Sequence, residues 1–158
     1  MTVGPRVLVI DDDASVRAVV CGLLATLGCD ADAAEDGAKG VTLFDQRRYD
    51  LVVTDLKMPG MTGWHVVAAV RARMPTMPIV MISGFATDAD RERAQGAGLV
   101  FLEKPFHFAE FKGAITRALA RRVSGEGLGS ESLPRKPLSK ALDEGQQEPE
   151  TEEGRSPS

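Results

Sequence analysis

The fold of this chain is decided by Tyr49-Asp50-Leu51-Val52-Val53-Thr54-Asp55-Leu56-Lys57-Met58-Pro59-Gly60. The run from Leu51 to Thr54 is apolar and β-branched, which is typical of a strand buried on both faces. Asp55 follows this run directly, and Met58-Pro59-Gly60 predicts a turn because proline and glycine interrupt strands. We therefore expect Asp55 at the carboxyl end of a central strand, where open α/β sheets bind their ligands.

Three further apolar runs and one weak strand pattern, at about residues 29–34, alternate with helical patterns along the chain. The apolar runs lie at about residues 6–10, 79–82 and 99–102, and the helical patterns at about 16–27, 38–47, 63–73, 88–95 and 109–122. Such alternation predicts βαβ units with right-handed crossovers. We expect an α/β fold of the flavodoxin-like doubly wound type, with a five-stranded parallel sheet of order 2-1-3-4-5 and five helices.

The composition of the chain changes near residue 123. Residues 1–123 contain 15 basic and 15 acidic residues, whereas residues 124–158 contain 4 basic and 8 acidic residues and account for the net charge of −4. The second segment also holds 15 Gly, Pro or Ser residues and no aromatic residue, so it cannot bury enough apolar surface to offset the entropy lost on ordering. We predict a folded domain over residues 1–123 and a disordered acidic tail over residues 124–158.

The same features argue against several classes of protein. A neutral domain with an acidic tail gives no electrostatic reason to expect binding to nucleic acid or to an anionic membrane. No apolar stretch approaches the length of a membrane span, and the first residues lack the apolar segment of a secretion signal. We therefore expect a soluble, cytoplasmic protein.

The cysteines, the histidines and the single tryptophan receive structural interpretations. Cys21 and Cys29 have neither disulfide-scaffold nor metal-ligand spacing and are expected to be free thiols. His65 and His107 have no partner acid at ligand spacing and are expected on the surface. Trp64 is expected to cover the edge of the core.

Polar side chains follow four of the predicted strands at the point where each strand ends. Asp11 and Asp12, Asp55, Ser83 and Lys104 occupy these positions. Since the carboxyl ends of parallel strands meet at one edge of the sheet, we expect these side chains in one crevice. An acid at a strand end is usually a helix cap, a Ser before Gly usually marks a turn, and Lys-Pro usually marks a loop. Four such ends in this order favour a functional site.

Repulsion among the predicted carboxylates indicates a bound cation. Two carboxylates about 4 Å apart near a protein surface cost about 4 kcal/mol. Oxygen ligands without His or Cys favour a hard ion, Mg²⁺ or Mn²⁺. A carboxylate flanked by such an ion, the Lys104 ammonium and the Ser83 hydroxyl suits phosphoryl transfer, in which the site positions the group and neutralises its charge. We therefore predict a covalent aspartyl phosphate on Asp55.

Four blocks of sequence resemble the receiver domain of two-component response regulators, in its stand-alone, chemotaxis-regulator-like form. The blocks are Val-Leu-Val-Ile-Asp-Asp-Asp at 7–13, Asp-Leu-Val-Val-Thr-Asp-Leu-Lys-Met-Pro-Gly-Met-Thr-Gly at 50–63, Ile-Val-Met-Ile-Ser-Gly at 79–84 and Phe-Leu-Glu-Lys-Pro-Phe at 101–106. The resemblance extends over about residues 6–121. It implies that Asp55 is the phosphoacceptor, that Asp12 binds the metal directly and Asp11 mainly through water, and that the backbone carbonyl of Lys57 completes the protein ligands.

The resemblance also implies further roles and partners. Ser83 and Lys104 would hold the phosphoryl oxygens, and Phe101 matches an aromatic switch position whose inward swing accompanies movement of Ser83. The phosphoryl donor would be a sensor histidine kinase or a phosphotransfer protein. The signal would leave through the face of the fourth helix, fifth strand and fifth helix, which also offers a possible homodimer contact. Since no helix-turn-helix pattern or basic patch follows, output is expected through a downstream protein target or through onward phosphoryl transfer, and both stay open.

Some positions depart from the commonest family pattern, among them Phe101, which lacks the hydroxyl of a tyrosine. Asp13 is a third consecutive acid, although the end of the preceding strand favours Asp11 and Asp12 as ligands. Lys57 is cationic and Phe85 is bulky and apolar, at positions that in the family help to set the lifetime of the phosphoryl group. That lifetime is therefore left open.

Two other interpretations of the site are weaker. A haloacid-dehalogenase-like phosphatase also forms an aspartyl phosphate, but that family has a second acid two residues after the nucleophile, where this chain has Lys57. A degenerate receiver that serves only for docking would lack site residues, whereas the acids, Ser83 and Lys104 are all present. The sequence thus favours a phosphoacceptor switch over an enzyme that acts on a separate substrate.

Overall fold

The computed structural model describes residues 4–129, and the side chains up to residue 121. Five strands and five helices alternate within this part of the chain. They are β1 (Arg6–Ile10), α1 (Ala14–Thr26), β2 (Asp30–Ala34), α2 (Gly37–Gln46), β3 (Leu51–Asp55), α3 (Gly63–Arg73), β4 (Ile79–Ser83), α4 (Asp88–Gly96), β5 (Val100–Glu103) and α5 (Phe108–Gly129). Neighbouring strands are parallel and lie in the order β2-β1-β3-β4-β5. The predicted flavodoxin-like doubly wound fold is therefore confirmed.

The last helix is longer than its sequence pattern predicts. α5 runs to Gly129, whereas the apolar pattern predicts an end near Arg122. Extending an existing helix adds a hydrogen bond for each residue without a new nucleation cost, so the backbone can continue beyond the apolar pattern. Residues 124–129 of the predicted tail are accordingly helical. Residues 130–158 lie outside the described residues, and their disorder stays a prediction.

The sheet buries a separate apolar layer on each of its faces. Leu8 and Ile10 of β1 belong to the layer that includes side chains of α2 and α3, whereas Val7 and Val9 belong to the layer that includes side chains of α1 and α5. Successive side chains of a strand point to opposite faces, so a strand covered on both faces must be apolar throughout. This explains why β1 and β3 are continuous apolar runs rather than alternating ones.

The register of the strands brings their carboxyl ends together. Ile10 lies opposite Thr54, and Asp55 lies opposite Ile82. The residues that follow β1 and β4 therefore flank the end of β3. α3 starts directly against this point, because a Cβ added to Gly63 would lie 2.5 Å from the carbonyl oxygen of Asp55.

α4 is held by little apolar burial. Ala94 is its one buried residue, and most of the others are exposed. This agrees with the polar pattern of the helix in the sequence. None of the helices in the described part of the chain is long and apolar enough to cross a membrane.

Candidate functional site

Three carboxylates converge at the carboxyl end of the sheet. Asp11, Asp12 and Asp55 each offer a carboxylate oxygen, and the three oxygens lie within 4.8 Å of one another. Asp11 and Asp55 are buried, while Asp12 is exposed. The cluster is therefore accessible from the side of Asp12, as a site must be if an ion is to enter it. The convergence expected for Asp11, Asp12 and Asp55 is therefore present.

Lys104 places one positive charge between two of these carboxylates. Its Nζ lies 3.5 Å from Asp55 Oδ1 and 3.7 Å from Asp11 Oδ2. The backbone N–H of Lys104 donates to the carbonyl oxygen of Ser83 at 2.9 Å, which fixes the start of the loop after β5. Three carboxylates against one ammonium leave two negative charges, and the all-oxygen donor set suits a hard divalent ion such as Mg²⁺ or Mn²⁺.

The surroundings oppose ionisation of the central carboxyl groups. Burial, and after it the neighbouring charge of Asp11, raise the pKa of Asp55 from 3.8 to about 6, although the Lys104 ammonium acts in the opposite direction. Burial also raises the pKa of Asp11, against the N–H of Asp13, which donates to it. A cation between these groups would favour their charged forms. The pKa shifts therefore support the fit of a cation to this cluster.

Asp13 has a different task from its two neighbours. It is the N-cap of α1, and its carboxylate accepts hydrogen bonds from the N–H groups of Ser15 at 2.9 Å and Val16 at 3.2 Å. Its own N–H donates to Asp11 Oδ1 at 2.9 Å and orients that carboxylate. The ambiguity among three consecutive acids is thereby reduced, because Asp11 and Asp12 are the pair left to face Asp55.

Ser83 is buried at the end of β4, one residue beyond the partner of Asp55 in the register. Its Oγ accepts a hydrogen bond from the N–H of Phe85 at 3.1 Å, so the hydroxyl is tied to its own loop. Phe101 is partly buried on β5 opposite Met81 and packs against the apolar layer that includes α2 and α3. The switch roles of Ser83 and Phe101 stay predictions.

The β3–α3 loop carries Lys57, whose side chain is exposed. Its backbone carbonyl follows Asp55 by two residues, and its role as a metal ligand stays a prediction. Phe85 is 82% exposed in the β4–α4 loop. Lys57 and Phe85 lie in the loops that follow β3 and β4.

The structure adds two contacts that the sequence patterns did not indicate. Arg17 of α1 donates to the carbonyl oxygen of Asp11 at 2.7 Å and so braces the loop after β1. Trp64 covers the edge of the core as expected, but its indole also donates to Asp90 of α4 at 3.3 Å. Both contacts join separate elements, so a pattern within one element could not reveal them. His65 and His107 are exposed, as predicted.

Comparison with known proteins supplies a family context for this geometry. The family model for the response regulator receiver domain matches residues 7–116. The chain is 36% identical over 135 residues to the transcriptional regulatory protein PrrA of Mycobacterium tuberculosis, an alignment that covers 85% of this chain and 58% of PrrA. It is 34% identical over 124 residues to the chemotaxis protein CheY of Pseudomonas aeruginosa, covering 76% of this chain and 99% of CheY.

Solved structures agree with the sequence comparisons. The chemotaxis protein CheY4 of Vibrio cholerae superimposes with a TM-score of 0.68 at 28% identity, covering 73% of this chain and 98% of CheY4. The receiver domain protein of Clostridium thermocellum superimposes with a TM-score of 0.72 at 25% identity. The chain thus matches nearly the full length of small receiver proteins, but only 58% of the length of PrrA.

Proposed function

We propose that this chain, which belongs to the receiver domain family of two-component response regulators, accepts a phosphoryl group on Asp55 and changes conformation in response. The observation that carries the proposal is the place of Asp55, which is buried at the end of the central strand within an acidic cluster and 3.5 Å from the Lys104 ammonium. A phosphoaspartate switch needs a carboxylate nucleophile and nearby positive charge, and both are present here.

In the proposed step, a carboxylate oxygen of Asp55 attacks the phosphorus of a phosphohistidine on the donor protein. The new O–P bond forms as the P–N bond breaks, and the electron pair of that bond stays on the imidazole nitrogen, which takes up a proton. Asp11, Asp12, Asp55 and the backbone carbonyl of Lys57 would hold Mg²⁺ or Mn²⁺. When bound, this ion supplies charge neutralisation at the phosphoryl oxygens.

Lys104 and Ser83 are proposed to hold the phosphoryl oxygens. The Lys104 ammonium already lies beside Asp55 Oδ1, and its compact charge suits a single phosphoryl oxygen. The Ser83 hydroxyl can keep the N–H of Phe85 as its donor while it gives its own proton to the phosphoryl group. Movement of Ser83 toward that group is the proposed origin of the switch. Phe101 on β5 is proposed to swing inward as Ser83 moves.

The proposed phosphoryl donor is a sensor histidine kinase or a phosphotransfer protein. The exposed side of α1 offers it a surface without charge, where Val19 is 57% exposed, and α1 begins directly after the acidic loop. Arg17 is the one charged residue of α1, and its guanidinium is turned back to the Asp11 carbonyl. An uncharged helix face beside the phosphoacceptor suits a helical donor protein that must approach Asp55 closely.

The proposed output is contact with a downstream protein or onward phosphoryl transfer, in the cytoplasm where the donor kinase obtains ATP. The α4–β5–α5 face is the proposed surface for that target or for a second copy of the chain. Transcriptional output is a second candidate, because PrrA is named a transcriptional regulatory protein. A pull-down with phosphorylated and unphosphorylated protein, and a DNA-binding assay on the same samples, would separate these outputs.

The decisive experiment is intact mass spectrometry after incubation with acetyl phosphate. Wild type is expected to gain one phosphoryl group when Mg²⁺ is present and none when EDTA is present. Asp55→Asn keeps the shape of the side chain but removes the nucleophile, and is expected to gain none under either condition. Absence of any gain in folded wild type, or an unchanged gain in Asp55→Asn, would overturn the proposal.

A further inference from the structure

We propose that Trp64 is a positioning residue for the phosphoryl site, because it acts as a latch that holds α4 and, through it, the loop that follows Ser83. This inference rests on the proposed function. The latch consists of Trp64 on α3 and of Asp90 and Arg93 on α4.

α4 needs such a latch because apolar burial holds it weakly. Ala94 is its one buried residue, so the helix contributes little to either apolar layer. The far end of the helix is held by hydrogen bonds from two arginines, since Arg71 donates to the carbonyl of Ala97 and Arg121 donates to that of Gly98 at 2.6 Å. The near end, which leads back to Ser83, is joined to the end of β5 by the ion pair of Arg91 with Glu103 and to α3 by Trp64.

Trp64 makes one contact with the first turn of α4, through Asp90, and one with its last turn, through Arg93. Its indole N–H donates to Asp90 Oδ1 at 3.3 Å. The guanidinium carbon of Arg93 lies 4.3 Å from the centroid of the indole ring, which is a cation–π arrangement. Asp90 and Arg93 are three positions apart and therefore share one face of α4. The indole thus bridges the first turn of α3 to this face.

Asp90 carries the latch into the loop after β4. Its Oδ2 accepts the N–H of Thr87 at 3.0 Å, while the Thr87 hydroxyl oxygen accepts the N–H of Asp90 at 3.0 Å, which is a complete capping box. One carboxylate thus serves the helix cap with one oxygen and Trp64 with the other. Thr87 closes the short loop that begins at Ser83, so the latch restrains the placement of the Ser83 hydroxyl.

The other end of the latch rests on the phosphoacceptor itself. Gly63, the residue before Trp64, donates its N–H to the carbonyl oxygen of Leu56 at 2.8 Å. A Cβ added to Gly63 would lie 2.5 Å from the Asp55 carbonyl oxygen, so the start of α3 packs on the backbone of Asp55. The path from Asp55 through Trp64 and Asp90 to Ser83 therefore begins and ends in the site.

The direction of the effect follows from the unphosphorylated geometry. The Ser83 oxygen accepts the N–H of Phe85 within the loop that the latch holds. A phosphoryl group on Asp55 offers charged oxygens to the Ser83 hydroxyl and favours movement of that loop toward Asp55. Contacts that belong to the unphosphorylated arrangement stabilise it selectively. Weakening the latch is therefore expected to favour phosphorylation.

The test compares Asp90→Asn with Glu92→Gln, each of which removes one negative charge from α4. Asparagine has one acceptor oxygen where aspartate has two, so Asp90→Asn cannot serve both Thr87 and Trp64, whereas Glu92 is an exposed residue outside the latch. With acetyl phosphate and Mg²⁺, Asp90→Asn is expected to be phosphorylated at least about fivefold faster than wild type, and Glu92→Gln at the wild-type rate. Trp64→Phe, which lacks the indole N–H, should follow Asp90→Asn.

Fluorescence of the single tryptophan supplies a second measurement. Phosphorylation of wild type is expected to shift the Trp64 emission, and the same treatment of Asp55→Asn is expected to leave it unchanged. One outcome is that wild type is phosphorylated by intact mass while its Trp64 emission stays constant and Asp90→Asn is phosphorylated at the same rate as Glu92→Gln. That result would contradict the proposed role of Trp64 and leave the proposed function intact. If wild type gains no phosphoryl group, both proposals fall.

Discussion

The ammonium of Lys104 lies 3.5 Å from Asp55 Oδ1, although the two residues are 49 positions apart in the sequence. It also lies 3.7 Å from Asp11 Oδ2 and is therefore shared between two buried carboxylates. A shared cation holds the carboxylates together in the free protein and stands ready to bind a phosphoryl oxygen on Asp55.

Loss of the Lys104 charge is expected to lower the rate of phosphorylation of Asp55. Lys104→Gln should lower the rate of phosphorylation by acetyl phosphate by about 10²-fold, because a charge-stabilising donor at a reacting centre contributes on this scale. Lys104→Arg keeps the charge and should retain more activity than Lys104→Gln. Single-turnover mass spectrometry at saturating Mg²⁺ measures both variants, and equal rates for the two would contradict the role of the charge.

The pH dependence of stability is expected to report the burial of Asp55. The folded-state pKa of about 6 lies above the ordinary value of 3.8, so the folded protein binds more protons than the unfolded chain between these values. Without metal, the free energy of unfolding should therefore fall as pH rises through this window. Asp55→Asn removes this effect. Above pH 7 its free energy of unfolding should therefore exceed that of wild type by up to about 3 kcal/mol.

Urea unfolding in EDTA, at several pH values for both proteins, measures this difference. Asp11 contributes in the same direction in both proteins, because burial raises its pKa as well. The comparison therefore reports Asp55 together with its repulsion from Asp11. A wild-type protein that equals or exceeds Asp55→Asn in stability above pH 7 would show that the carboxylate is not destabilising there.

Metal binding is expected to distinguish Asp12 from Asp13. Mg²⁺ should raise the melting temperature of wild type, since a ligand that binds the folded state at about 100 times its dissociation constant adds about 2.7 kcal/mol. Asp12→Asn should lose most of this increase. Asp13→Asn should keep it, because asparagine is also a good N-cap and Asp13 caps α1. Thermal unfolding with and without Mg²⁺ tests the three proteins, and the reverse pattern would place the metal one residue later.

The uncharged face of α1 is expected to affect transfer from a protein donor but not from a small molecule. Val19→Lys places a charge at a position that is 57% exposed, so it should leave the fold and the reaction with acetyl phosphate unchanged. Transfer from the phosphorylated donor protein should fall by at least about tenfold, because a buried unpaired charge costs more than 1.4 kcal/mol at an interface. Ala38→Lys, on the exposed side of α2, is the matched control. Equal transfer to the two variants would exclude α1 as the docking face.

The sequence alone is sufficient to predict the parallel sheet and the acidic cluster at its edge. The apolar runs that end at Ile10 and Thr54 are buried on both faces, and such runs alternating with amphipathic helices are compatible with few arrangements other than a parallel doubly wound sheet. Because parallel strands end at one edge, the sequence is sufficient to place Asp11, Asp12 and Asp55 together, as the structure shows. These predictions succeed because each depends on a local signal and on one general rule of topology.

Two features depend on the tertiary structure. They are which of the three consecutive acids caps α1 rather than facing Asp55, and which contacts hold α4. Asp13 becomes a helix cap because the chain turns into α1 at that residue, which the three consecutive acids do not reveal. Trp64 meets Asp90 across 26 positions because the faces of α3 and α4 happen to meet there. Such contacts depend on how helices pack over the sheet, where side-chain shape and charge on two separate elements act together, and no pattern within either element contains that information.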